Sequence, residues 1–84
     1  MELVWDDENE EHIARHRVSI WEVESLLSHH CHFRRHRGRF LGYGQTADGR
    51  YLMVVLEALG MGTWRPVTAR DMTQTERRLL QRHI

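Results

Sequence analysis

No lysine occurs in these 84 residues; all twelve Lys/Arg positions are arginine. Arginine presents a planar fork that grips phosphate at two points and stacks on bases, whereas lysine offers a mobile point charge. Genomic base composition accounts for a missing lysine equally well. Cysteine is reduced to Cys31, which excludes an internal disulfide and fits a reducing compartment. No run of about 18 apolar residues exists, so no membrane helix is expected. Met1 to Asp7 is acidic and has no apolar signal core, which points away from secretion and toward the cytoplasm. The length suits one domain, 1–84, that buries only about 60–65% of its unfolded surface. A domain of this size gains stability from a partner that covers apolar surface.

What is present is unevenly placed. Residues 1–30 hold eight acids and two arginines, a balance of −6, while residues 31–84 hold four acids and ten arginines, a balance of +6. Base composition does not produce that segregation, and a basic half suggests phosphate or carboxylate recognition. Glu2–Trp5 reads as a short strand. Asp7 with Glu10 has capping-box spacing and opens a helix to about His16. Ser19 with Glu22 is a second box, and its helix to about Leu27 would bury Ile20, Val23 and Leu27. A strand starts between His30 and Phe33, its end blurred by Gly38 and the arginines around it. Arg39–Gln45 and Tyr51–Glu57 are strands joined by a turn at Gly49. Tyr51–Glu57 is apolar on both faces and should be central. In Thr63–Thr68, Pro66 requires an edge position or a nitrogen turned away from pairing. Thr73 with Glu76 opens a last helix that runs to about His83 and packs through Leu79 and Leu80. The expected order is βααββββα or βααβββα, an α+β domain with two N-terminal helices and one C-terminal helix, all on one side of a mainly antiparallel sheet.

The segment Thr68-Ala69-Arg70…Glu76-Arg77 leaves a strand and enters a capped helix, which gathers Arg70, Glu76 and Arg77 at one end of the sheet. Cleavage of RNA by its own 2′-hydroxyl needs a base, charge stabilisation of the phosphorane, and an acid for the leaving oxygen. Arginines at a strand end suit the phosphorane. Glu76 is equally a capping residue, and Arg77 and Arg78 equally a solvated helix face. His30, His32 and His36 share strand parity as zinc ligands would, but Arg34, Arg35 and Arg37 would repel a cation, so neither metal nor cofactor is expected. His12 and His16 lie one helical turn apart. Trp5 reads as core and Trp21 as an exposed anchor candidate. Phe40 and Tyr43, beside Arg39, suit packing or base stacking.

Three patches in order carry a resemblance. Trp5-Asp6-Asp7-Glu8-Asn9 with His12-Ile13-Ala14-Arg15-His16 and Val18-Ser19 looks like the opening of BrnT toxins. Tyr43-Gly44-Gln45-Thr46 with Asp48-Gly49-Arg50-Tyr51-Leu52 is similar to that family's hairpin. Thr68-Ala69-Arg70 with Glu76-Arg77 resembles its Ser/Thr-Ala-Arg…Glu-Arg signature. Arg17 stands where the family usually has glycine, and Leu79 and Leu80 where many relatives have a tyrosine. The resemblance implies a RelE-like fold and the toxin half of a type II toxin–antitoxin system: a metal-independent endoribonuclease that inhibits translation. It implies Arg70, Glu76, Arg77 and His16 as catalytic candidates; Arg39, Arg50 and Arg65 in the basic half are the candidates for RNA contact. The implied partners are RNA and a BrnA-like antitoxin, in a dimer or heterotetramer, with DNA reached only through the antitoxin. The alternative is a module that keeps the fold, lacks catalysis, and binds a protein or nucleic acid.

Overall fold

In the computed structural model, which describes residues 1–82, the chain runs β1 (Glu2–Leu3), α1 (Asp7–Arg15), α2 (Ile20–Ser28), β2 (Cys31–His36), β3 (Arg39–Gln45), β4 (Tyr51–Gly60), β5 (Thr63–Asp71) and α3 (Gln74–Gln81). This is an α+β fold and the longer of the two expected orders. The five strands lie in the order β1-β5-β4-β3-β2, with β1 parallel to β5 and every other pair antiparallel. The end expected at His83 for the last helix lies outside the described residues.

Strand β4 is central, as its two apolar faces require. Leu52, Val54 and Leu56 are fully buried on one face, together with Ile13 and Val18 from the α1 region, Val23 and Leu26 of α2, and Ala69. On the other face Met53 packs with Met72 and Leu80, flanked by Leu41, Tyr43, Tyr51 and Val55. The helices are therefore not all on one side: α1 and α2 cover one face and α3 part of the other. A strand that is apolar in both directions needs cover in both directions, and α3 supplies the second. Gly44 of β3 lets α2 approach, because a Cβ there would come within 2.9 Å of Leu26 Cδ1 and of the His30 carbonyl oxygen.

Local signals hold with small shifts. Capping boxes form at Ser19/Glu22 and Thr73/Glu76. The box of α1 sits one residue earlier than its Asp7/Glu10 spacing implied: Asp6 caps, and Asn9 is the reciprocal partner. Asn9 is wholly buried, and its Nδ2 donates to the carbonyls of Val4 and Pro66, at 2.9 Å each. Those long-range acceptors select Asn9 over Glu10. Pro66 sits where the β4–β5 register shifts, just beyond the two residues of β5 that pair with β1. Its missing N–H therefore breaks no ladder. In α2 Val23 is fully buried as expected, but Leu26 joins it rather than Leu27, and of the pair in α3 Leu80 is buried while Leu79 is exposed. Arg17 takes φ 58°, a left-handed conformation that favours glycine.

Candidate functional site

Strand alternation puts a continuous row of side chains on the face partly covered by α3. The register aligns His32 with Tyr43, Tyr43 with Met53, and Met53 with Arg70, one rung across four strands. The next rung is Arg34, Leu41, Val55 and Thr68. Leu80 of α3 packs with Met53 of the first rung, and between α3 and the β2–β3 side of the sheet opens a cleft of about 410 Å3 lined by His32, Arg34, Tyr43, Glu76, Leu79 and Leu80.

Arg70 and Glu76 form a two-point clamp beside this cleft. Arg70 Nη1 donates to Glu76 Oε1 at 2.8 Å and Nη2 to Oε2 at 3.0 Å, while Nη1 also reaches the Asp71 carbonyl at 3.0 Å. Glu76 Oε1 simultaneously accepts the Thr73 N–H at 2.9 Å, so one carboxylate closes the capping box and fixes the arginine. The Arg70 hydrogen bonds, with lesser help from the Thr73 N–H, hold the Glu76 carboxyl below the usual carboxylate range. Reciprocally, Glu76 raises Arg70, which stays cationic throughout the biological pH range. A carboxylate held down in this way is a weak base; an arginine held by a carboxylate is a positioned cation. Arg77 stands beside them, with its guanidinium carbon 4.1 Å from the Tyr51 ring centroid. Stacking fixes its charge at the surface near the same end of the sheet.

The other candidate residues are dispersed. Arg39 is on the α3 face but at its far end, half-exposed and 3.5 Å from Glu57. Arg50 ties the opposite layer together: Nε donates to Asp71 at 2.8 Å, Nη1 to both Glu22 oxygens and the Arg17 carbonyl, and Nη2 to the His16 carbonyl at 3.3 Å. Asp71 is held below its ordinary value by the Arg50 hydrogen bond and, less strongly, by the charges of Arg50 and His16. Arg65 lies against the start of α1, bonded to Asp6 at 2.9 and 3.2 Å and to Glu8 at 3.2 Å. Part of the segregated charge thus serves internal pairing of the acidic half with the basic half. His16 ends α1 and lines a shallow hollow with His12, Arg15, Val67 and Thr68. It is not a member of the α3 cleft.

Three cleft residues were not among the sequence candidates for catalysis: His32, Arg34 and Tyr43. The Arg37-Gly38 turn carried the signal. Both residues have positive φ, 53° and 79°, the two-residue hairpin form, which sets His36 opposite Arg39 and therefore His32 opposite Tyr43. Only His32 and His36 lie within β2, with His30 just before it. Among the described residues no three His, Cys, Asp or Glu side chains group so as to hold a metal ion. Phe40 packs edge-on against Trp64 at 5.1 Å, a core contact, while Trp21 is 56% exposed. No helix among the described residues is long and apolar enough to cross a membrane. Comparison with protein-family models finds none that matches the chain, and comparison with curated proteins finds no match either.

Proposed function

We propose that the chain is an RNA-cleaving toxin of the RelE-like, BrnT-like kind, acting in the cytoplasm, and that its site is the α3 cleft. The observation that carries this reading is the Arg70–Glu76 clamp standing on one rung with Tyr43 and His32. In the reaction the 2′-oxygen bonds to the adjacent phosphorus, the bond to the 5′-oxygen breaks, and a 2′,3′-cyclic phosphate remains. One proton leaves the 2′-hydroxyl and one reaches the 5′-oxygen. Arg70 stabilises the charge that grows on the phosphorane oxygens. Glu76 keeps Arg70 in place rather than acting as a strong base. The His32 imidazole, which can accept or donate, serves one of the proton transfers, and Tyr43 with Leu79 forms a wall for a base. Arg77 and Arg39 contact flanking phosphates. Arg50, Arg65 and His16 hold the fold in this scheme rather than the substrate. The left-handed Arg17, at a position where BrnT proteins usually carry glycine, fits the same reading. So does the need of a small domain for a covering partner, here a BrnA-like antitoxin that also provides the contact with DNA in a heterotetramer.

One observation favours a second reading, a module that binds without cleaving: Glu76 already occupies both terminal nitrogens of Arg70. Inducing the chain without a partner and mapping cellular RNA ends separates the two. New ends in the wild type that vanish with Arg70→Ala are expected. Growth arrest with unchanged RNA ends favours the binding module.

A further inference from the structure

The two edges of the sheet are treated differently. At one edge, β5 is covered by β1 and, beyond it, by Asn9, whose side chain caps the Pro66 carbonyl. At the other edge, β2 is six residues long, has no proline, and pairs with β3 in unbroken register from Cys31 to His36. Across the Arg37-Gly38 hairpin, His36 and Arg39 form the hydrogen-bonded pair that flanks a two-residue turn. Alternation then turns the N–H and C=O groups of Phe33 and Arg35 away from β3. Among the described residues no backbone hydrogen bond outside the sheet reaches either.

We propose that this outer edge of β2 docks an extended acidic segment of a protein partner, which adds a sixth strand to the sheet. The charge of the edge selects the occupant. Arg34, Arg35 and His36 lie in β2 and Arg37 follows it, while no carboxylate stands in β2 or β3. A second copy, edge to edge, would set arginines against arginines, so self-pairing is disfavoured. Acids on alternate residues of an added strand share one side of the sheet, where they would meet Arg34, on the α3 face with His32. The apolar residues between them would meet Phe33, 40% exposed, on the other side. RNA would satisfy the charges but leave the outward peptide groups unmatched; their two-residue repeat, roughly 6.5–7 Å, is that of another strand. Strand addition of this kind takes its affinity from main-chain bonds and its specificity from alternate side chains. The inference rests on the edge alone and stands whether or not the chain cleaves RNA.

The probe is a ten-residue peptide of alternating glutamate and valine, titrated into the full chain with amide exchange followed residue by residue. We expect saturable binding that slows exchange of the Phe33 and Arg35 amides at least tenfold. The same peptide with proline in place of valine keeps the charge and cannot form a strand, and should bind at least tenfold more weakly. Arg35→Pro removes one outward N–H and leaves the β3 ladder intact; Arg34→Glu keeps every outward N–H and reverses the charge on the side where the acids lie. Each should weaken the peptide at least tenfold. Equal binding of the proline peptide would overturn the proposal, as would a bound peptide that leaves the Phe33 and Arg35 amides exchanging freely. Protection of those amides by a single-stranded RNA and not by the peptide would assign the edge to RNA instead.

Discussion

The two faces of one sheet divide the work of this molecule. On the α1/α2 face, Val23, Leu26, Leu52, Val54, Leu56 and Ala69 are entirely excluded from solvent. On the α3 face the buried set is Met53, Met72 and Leu80, and around it stand His32, Arg34, Tyr43, Arg70 and Glu76. Neighbouring residues of β4 point alternately into each environment. The first face is built from branched side chains at zero exposure and carries the fold. The second has one helix, two methionines and an open cleft, so lower local stability is expected there, as is usual where binding elements are found.

The largest effect that should distinguish the faces is a core truncation. Leu56→Ala on the closed face is expected to cost about 2–5 kcal/mol, read as a shift in the denaturant midpoint. Val55→Ala, one residue along on the open face, should cost roughly 1 kcal/mol or less. Equal losses would mean that α3 seals its face as tightly as α1 and α2 seal theirs.

Next comes Arg50, whose fork joins α1, α2 and β5 with only 26% of its side chain exposed. Arg50→Ala leaves carbonyls and Glu22 without their donor, and a loss of about 1–3 kcal/mol is expected. Arg50→Lys should recover little of it, because one ammonium cannot replace the fork. Full recovery with lysine would reduce Arg50 to a simple charge.

Acid should loosen both faces, for a reason with a definite sign. Asp6, Asp71 and Glu76 all have folded values below their ordinary 3.8 and 4.5. A carboxyl lowered by folding adds stability that is complete above its unfolded value and fades as pH falls through the folded one. Melting temperature should therefore be flat from neutrality to about pH 5 and fall below that. Arg70→Gln should remove the larger part of the Glu76 contribution, leaving that of the Thr73 cap, and make the acid-side slope shallower. An unchanged slope would show that Glu76 gains nothing from the clamp.

The smallest change is at the β4–β5 hairpin, on neither face. Met61 is fully exposed and held at φ 54°, where a side chain costs about 1–2 kcal/mol and asparagine is better tolerated. Met61→Asn should raise stability by up to about 1 kcal/mol. A loss in the same melt would mean that the methionine makes a contact worth more than its backbone strain.

The closed face was largely legible in the sequence. The Ser19/Glu22 spacing, the two-sided apolarity of β4 and the bounds of β3 depend on neighbours within a few residues. The open face was only half legible. Arg70 and Glu76 share a segment with a cap, so spacing alone brought them together. His32 emerged only as a zinc candidate, Tyr43 only as a packing or stacking ring, and Arg34 only as a charge that would repel a metal; their meeting beside α3 was hidden because β2 has no apolar alternation and is a strand through its pairing with β3. Arg50 and Arg65 looked like surface charge because their partners lie 21 to 59 residues away in the chain. Asn9 escaped notice for the same reason: its Pro66 acceptor is 57 residues distant.

The central claim is that the open face cleaves RNA with the substrate's own 2′-hydroxyl. It is tested most directly by incubating the purified chain with a short RNA, and with the same RNA carrying a single 2′-deoxy nucleotide at the cut site, both in excess chelator. The account predicts cleavage of the first to a 2′,3′-cyclic phosphate, none at the deoxy position, and a loss of about 10²–10³ in rate with Arg70→Ala. Cleavage at the deoxy position, products ending in a 5′-phosphate, or a folded Arg70→Ala chain that cuts at the full rate would contradict it.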